Sequence, residues 1–319
     1  MKRYAIVLLI MMISSSLFAQ CFERNYNYGK RCYEQKEFEK AISIFENAKL
    51  CADVPKTHDV DEWIKKCRDS LKVKVPHKTA ASVTTSGKDI IIKVDGVSYK
   101  MVFVEGGTFT MGCAAAQDAD CTEQEQPTHK VTLDGYYIGE TEVVQALWRV
   151  VMKSNPSTFL GDNNPVENVS LFEILTFVKK LNTLTGLDFY LPSEAQWEFA
   201  ARGGNLSKGY KFSGGNSLNE VAWYSMNANK QPHPVKTRKA NELGLYDMSG
   251  NVWEWCSDHY VEYGDFDQKN PVGEGDGTEY VRRGGCWSVG EVHCRSTFRY
   301  GVQLDYKSYY LGFRLALSK

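Results

Sequence analysis

Tyr280-Val281-Arg282-Arg283-Gly284-Gly285-Cys286-Trp287 is followed by Cys294-Arg295-Ser296-Thr297-Phe298-Arg299, and the chain closes through Leu311-Gly312-Phe313-Arg314-Leu315-Ala316. Two thiols eight residues apart stand among glycines and arginines, so chemistry carried by cysteine would be placed here. Just upstream lies Gly244-Leu245-Tyr246-Asp247-Met248-Ser249-Gly250-Asn251-Val252-Trp253-Glu254-Trp255. Asp247 and Glu254 bracket a turn at Gly250, a spacing that lets a chain curl around an oxygen-ligated cation, although an acid near a turn is more often simply solvated.

Outward from these stretches, a length of 319 residues predicts two domains, or one large domain with an appendage. Apolar residues make up 43% of the chain, enough for a core, while 26 glycines and 18 tyrosines predict a loop-rich body packed on aromatics. The 38 basic residues balance 39 acidic ones without a long run of either sign, which argues against a nucleic-acid partner.

Met1-Lys2-Arg3, the apolar run from Tyr4 to Met12, the serines 14 to 16 and Leu17-Phe18-Ala19 read as a secretory signal peptide over residues 1–19. The run is too short to span a bilayer, so the expected protein is exported and not transmembrane: periplasmic, cell-surface or secreted. In an oxidising compartment its nine cysteines become disulfide candidates with at least one left over. Cys51 with Cys67 and Cys113 with Cys121 are the local pairs the spacing suggests, each closing a short loop.

Residues 20–72 read as a small all-α, tetratricopeptide-like segment, with Gly29, Phe38, Ala41, Phe45 and Ala48 at the packing positions of such a unit. Residues 73–88 carry Pro76, lysines and a Ser/Thr cluster without apolar period, and are expected to be a linker. A domain over 89–319 opens with strands at Ile90–Val94 and Tyr99–Val104 around the turn Asp95-Gly96. A helix is expected to begin at Glu140–Val143 with Val144, Leu147, Trp148 and Val151 inward. A second helix is capped by Ser170, with Leu171, Ile174, Leu175 and Val178 inward, and a third by Ser193. Glu194 and Glu198 share a helix face but have no histidine at metal-ligand spacing, so they read as structural acids, one of them within reach of Arg202. His129, His233, His259 and His293 are scattered, with no pair at zinc spacing.

Over about residues 100 to 317 the motifs Gly106-Gly107-Thr108-Phe109-Thr110-Met111-Gly112, Gly244–Trp255, Arg283-Gly284-Gly285 and Gly312-Phe313-Arg314 resemble the formylglycine-generating enzyme (sulfatase-modifying factor) family. The resemblance implies an α+β, C-type-lectin-like fold whose long loops are pinned by aromatics and calcium. It implies a calcium site at Asp247 and Glu254 with the carbonyls of Gly250 and Val252. Active members oxidise a substrate cysteine to formylglycine with copper(I) held by two cysteines, a softness match for thiolates. The second of these positions corresponds to Cys294 and the first to Val289, which cannot ligate; Cys286 stands where the family usually carries serine. Cys286 and Cys294 are therefore open to three readings: a replacement copper pair, a disulfide with each other or with Cys256, or buried thiols. Three functions follow. The first is an exported, non-oxidase member acting in binding or assembly with a protein or peptide. The second is a copper-dependent formylglycine-generating oxidase using Cys294 and Cys286. The third is a lectin-like module for carbohydrate or peptide, with loop tryptophans as stacking surfaces.

Overall fold

The computed structural model describes residues 22–23, 25–35, 37–49, 59–70, 81–113, 120–273, 275 and 277–319. The signal-peptide expectation lies outside the described residues. The chain divides into two units, Met1–Lys78 and Thr79–Lys319.

In the first unit, α1 (residues 25–34), α2 (Phe38–Ala48) and α3 (Val60–Ser70) enclose a small core of Tyr26, Ala41, Phe45, Ala48, Ile64 and neighbours. Gly29 is required here: a Cβ on it would come within 2.7 Å of the Phe45 ring. Trp63 stacks on Phe45 with centroids 5.8 Å apart and meets Tyr33 edge-on. Cys67 is a buried free thiol, so the Cys51–Cys67 pairing expected from spacing does not form; position 67 turns into the helical core, and Cys51 lies outside the described residues.

The second unit is built on a six-stranded sheet ordered β1-β2-β3-β6-β13-β7. Its strands are β1 (Ala81–Ser86), β2 (Asp89–Val94), β3 (Val97–Val104), β6 (Tyr136–Gly139), β7 (Phe189–Tyr190) and β13 (Ala316–Ser318). β1 corrects the linker expectation for 73–88. Its Thr/Ser-rich sequence pairs along its whole length with β2, Ala81 opposite Val94 to Ser86 opposite Asp89, at a sheet edge where apolar alternation is not needed. The Asp95-Gly96 turn between β2 and β3 is the expected one, both residues having positive φ, 46° and 87°. β13, from the end of the chain, lies between β6 and β7, so the last residues are stitched into the middle of the sheet.

Two helices, α4 (Gln145–Met152) and α5 (Leu171–Thr185), pack together, with Trp148 stacked on Phe177 at 5.1 Å. α4 starts five residues later than the expected Glu140, because Gly139 and Val143 still give their N–H groups to Leu315 and Phe313 in the extended chain beside β13. α5 has the predicted Ser170 cap in a capping box with Glu173, but Leu175 is exposed and Phe177 takes the inward place. α6 (Glu194–Ala201) is capped by Ser193 as expected.

A four-stranded sheet, β11-β10-β8-β12, carries both motif stretches: β8 (Trp253–His259), β10 (Glu279–Arg283), β11 (Arg299–Gln303) and β12 (Leu311–Gly312). β4 (Gly107–Met111), β5 (His129–Leu133) and β9 (Gln268–Lys269) make a third sheet. Cys113 and Cys121 are disulfide-bonded at the end of β4, as their spacing suggested. Loop-rich chain around three short sheets and a helix pair is the α+β architecture expected.

Candidate functional site

Four arginines of the C-terminal stretches drive into buried carboxylates, and this wiring positions everything else. Arg314 gives Nε and Nη2 to the two oxygens of Glu254, each at 2.6 Å, while Nη1 reaches the Gly139 carbonyl and Nη2 the Tyr246 carbonyl. Arg299 forks onto Glu194 at 2.8 and 2.7 Å. Arg283 pairs with Glu198 and caps the Thr297 and Phe298 carbonyls; Glu198 also takes Arg202, as the sequence predicted. Arg295 forks onto Glu125 at 2.7 and 2.6 Å. Glu194 and Glu198 are thus structural counter-ions. A buried acid left alone would be costly, and here each has a bidentate or doubled partner.

The loop from Asp247 to Val252 is tightly curled. Asp247, Gly250 and Asn251 have φ of 60°, 81° and 57°, and a Cβ on Gly250 would sit 2.3 Å from the Trp223 carbonyl oxygen, so only glycine fits there. Asn251 braces the loop by accepting from the His233 N–H and donating to its carbonyl. Asp247 is buried; its Oδ2 accepts the Lys236 N–H at 2.8 Å, and its Oδ1 has no hydrogen-bond partner. Burial pushes the Asp247 carboxyl up to about 6.

Of the acids that the family resemblance offers to calcium, Asp247 suits a cation, with one dry, unpaired carboxylate oxygen facing no donor. Glu254 is committed: besides Arg314, its Oε2 accepts the Trp197 indole N–H at 2.7 Å. Sequence reasoning missed a third acid. Glu142, three residues past the end of β6, is fully buried, and neither of its carboxylate oxygens has a hydrogen-bond partner. Burial, then the negative charges of Asp247 and Glu254, drive its carboxyl far above the usual range. Its only sequence signal is an acid beside a β-strand in an apolar context, Glu142-Val143-Val144. Among the described residues no three His, Cys, Asp or Glu side chains stand together as a ready metal centre.

Cys286 and Cys294 are brought close. Gly285, at φ 74°, lets the chain bend so tightly that a Cβ there would lie 2.8 Å from the Cys294 Sγ. They are not joined to each other or to Cys256; all three are free, buried thiols, so the disulfide reading does not hold in this structure. Burial raises the Cys294 thiol strongly, with the neighbouring Cys286 adding to it, and burial raises Cys286, whose Sγ sits 3.1 Å from the Ser288 hydroxyl. Around Cys294 are Phe212, Leu218, Val221, Ala222 and, at the edge of the cluster, Val289. This is the setting of an inert cysteine rather than a thiolate.

Next to these thiols an aromatic face opens. Tyr300, Tyr306 and Tyr309 are 51%, 36% and 47% exposed. Behind them Trp287 meets Phe159 at 5.6 Å and Tyr309 at 5.8 Å, Tyr306 and Tyr310 share a hydrogen bond between their hydroxyls, and the Arg282 guanidinium lies over Trp253 and Tyr300.

Known proteins share this architecture. "Treponema denticola variable protein 1" superposes over 73% of this chain and all of its own, with a TM-score of 0.68 and 31% identity. PvdO from Pseudomonas aeruginosa does so over 69% and 94%, with a TM-score of 0.61 and 23% identity, a likeness of fold. In sequence, the chaperone protein LppX of Paenibacillus barcinonensis is 34% identical over 50% of this chain and 71% of its own. The formylglycine-generating enzyme of Streptomyces coelicolor is 27% identical over 67% and 88%. The serine/threonine-protein kinase Pkn1 of Chlamydia trachomatis is 26% identical over 81% of this chain, which spans only 45% of the kinase. No helix among the described residues is long and apolar enough to cross a membrane. Residues 93–319 match the sulfatase-modifying factor enzyme 1-like domain, and the chain belongs to that family.

Proposed function

We propose that this protein is an exported, ligand-binding member of its family without cysteine-oxidase activity. The observation that carries the reading is the surrounding of Cys294: fully buried, walled by apolar side chains, with Val289 where a second soft ligand would be needed. Copper(I) held for oxygen chemistry asks for two thiolates, and burial keeps this thiol protonated. What the domain presents instead is the Tyr300–Tyr306–Tyr309 face, suited to a protein or peptide partner. The kinship with a protein named as a chaperone supports a protein partner over a small molecule. Calcium belongs to this reading as a structural ion. Asp247, with the carbonyls of Gly250 and Val252, would hold it, and the ion would fix the loop that supports the Trp287 side of the face.

One observation favours the oxidase instead: Cys286 stands beside Cys294 and could replace the missing ligand. Carbohydrate is the other ligand the tyrosine face would take, through ring stacking on sugar C–H surfaces.

The deciding experiment incubates the reduced protein with copper(I), oxygen and a Cys-x-Pro-x-Arg peptide and follows the peptide by mass spectrometry. No formylglycine above background is expected. Turnover lost on Cys294→Ser would establish the oxidase and overturn the binding-only reading.

A further inference from the structure

Five arginines project from the C-terminal stretches, and four of them, Arg283, Arg295, Arg299 and Arg314, end on a buried carboxylate. Arg282 is the exception. Its neighbours Val281 and Arg283 are fully buried in the core, so alternation along β10 turns Arg282 to the other face, opposite Tyr300 on β11 and Trp255 on β8. There the guanidinium is boxed by rings, 4.7 Å from the Trp253 centroid, 4.8 Å from Tyr300 and 5.8 Å from Tyr310. Its Nε and Nη1 are shut off from water without a hydrogen-bond partner, while Nη2 is not among the dry atoms. Among the described residues no carboxylate pairs with it. Glu279, on the same strand, belongs to the opposite face, with Oε2 against Gly301, and Glu173 is held by Lys307 at 2.6 Å.

Aromatic faces attract a cation, but they are poor acceptors for N–H groups, and dry donors without acceptors are unfavourable. The hydroxyls around Arg282 share its preference for negative charge. Tyr306 and Tyr310 are joined by a hydrogen bond between their hydroxyls. Although burial works against it, hydrogen bonds from Tyr306 and Ser308 and the charge of Arg282 hold the Tyr310 hydroxyl below its usual range. One guanidinium and three hydroxyls thus meet at the surface with no carboxylate bonded to any of them among the described residues. An apolar seat adjoins this spot: the Tyr309 and Tyr310 rings are 5.3 Å apart, Tyr309 packs on Trp287 and Phe159, and Leu160, next in the chain, is exposed.

We propose that Arg282 reads a carboxylate on the partner of the tyrosine face, and that the ligand class is a peptide segment carrying Asp or Glu beside an apolar residue. This rests on the binding reading above and names what that face selects. The acid would fork onto Arg282, helped by the Tyr306 and Tyr310 hydroxyls, while its apolar neighbour rests on Tyr309 and Trp287. A carboxylate suits the position because its two oxygens accept two parallel N–H groups of one guanidinium. Tyr300, half exposed over Arg282, is the ring whose movement bares the second donor.

A phage-displayed library of random peptides is selected on the full chain and, in parallel, on Arg282→Gln and Arg282→Glu. Selected peptides are resynthesised with Gln in place of each acid and titrated by fluorescence anisotropy. Wild type should enrich peptides with Asp or Glu next to Trp, Phe or Leu, and replacing that acid should weaken binding about tenfold or more and remove most of its salt dependence. Because this comparison changes only the peptide, it stands even where a variant folds poorly. Arg282→Gln should bind the acid and amide peptides alike, and Arg282→Glu should turn the selection towards Lys and Arg. Tyr309→Ala should weaken both forms of the peptide, since it removes the apolar seat and not the charge. Enriched peptides without acids, or acidic peptides bound equally by wild type and Arg282→Gln, would overturn the role of Arg282 and leave the face as a peptide-binding surface. No peptide enriched on wild type would remove both.

Discussion

At the scale of single residues, the chain spends its arginines on burial. Arg295 and Glu125 show the energetics most clearly, because both are fully buried and forked onto each other, with Thr122 also bonding Glu125 and the Val292 carbonyl and Thr297 hydroxyl also taking Arg295. Although burial works against it, the Arg295 guanidinium holds the Glu125 carboxyl below the usual range. Removing one member leaves a dry charge, so Arg295→Met should lower the free energy of unfolding by about 3–5 kcal/mol, whereas Arg295→Met with Glu125→Leu should recover most of the loss. Urea unfolding of the four proteins of this cycle measures it; equal destabilisation in the single and double variants would show that the pair does not act as a unit. Residues of this kind were half visible in the sequence. Arg295 stands in a conspicuous Cys-Arg-Ser run, but Glu125 lies 170 positions away in an unremarkable acidic segment, and Glu142 is equally distant from Asp247 in pattern. The motifs that could be read were those whose structure is local: the glycine-pinned 247–252 turn, the Ser170 and Ser193 caps and the Cys113–Cys121 bridge.

At the scale of elements, the same distinction between local and distant partners explains where the expectations failed. Amphipathic periodicity located α4 and α5, yet Glu140–Val144 stays extended because β13 and the residues before it, from the far end of the chain, supply its hydrogen bonds. Tertiary pairing overrides helix propensity there. β1 is the reverse case: Ala81–Ser86 is polar, exposed and without apolar alternation, and only its neighbour β2 makes it a strand. Its role is to cover the edge of β2, whose Ile90–Ile92 run would otherwise present unpaired backbone to solvent. A fragment beginning at Thr79 should therefore fold and stay monomeric. One beginning at Asp89 should melt several degrees lower and associate with rising concentration, as seen by calorimetry and sedimentation; identical behaviour of the two fragments would show β1 to be dispensable.

At the scale of the whole molecule, two opposed sets of buried carboxyls set how stability responds to pH. Glu125 and Glu194 are held low by Arg295 and by Arg299 with Arg283, in each case against the effect of burial. Their contribution is complete above the unfolded value of about 4.3 and is lost as pH falls below it. Glu167 and Asp258 behave oppositely. Burial pushes Glu167 up to about 7 despite the N–H groups of Thr158 and Phe159 on its Oε1, and burial with the charge of Glu194 pushes Asp258 up to about 6. A carboxyl with a higher pKa folded than unfolded binds more protons in the folded state, so stability declines as pH rises from about 4 to the folded value and levels off beyond it. In chelator, the melting temperature of the domain beginning at Thr79 should peak near pH 5 and fall toward pH 7.5. Glu167→Gln should flatten the upper part of that decline, because an amide keeps the two backbone hydrogen bonds and has no proton to lose. Glu167 also anchors the turn that presents Phe159 to Trp287 and Tyr309, so the same variant should make partner binding on the tyrosine face less sensitive to pH between 5 and 7.5. A wild-type melting profile that rises steadily to pH 7.5, or a Glu167→Gln profile parallel to it, would show that these two acids are already ionised in the folded protein.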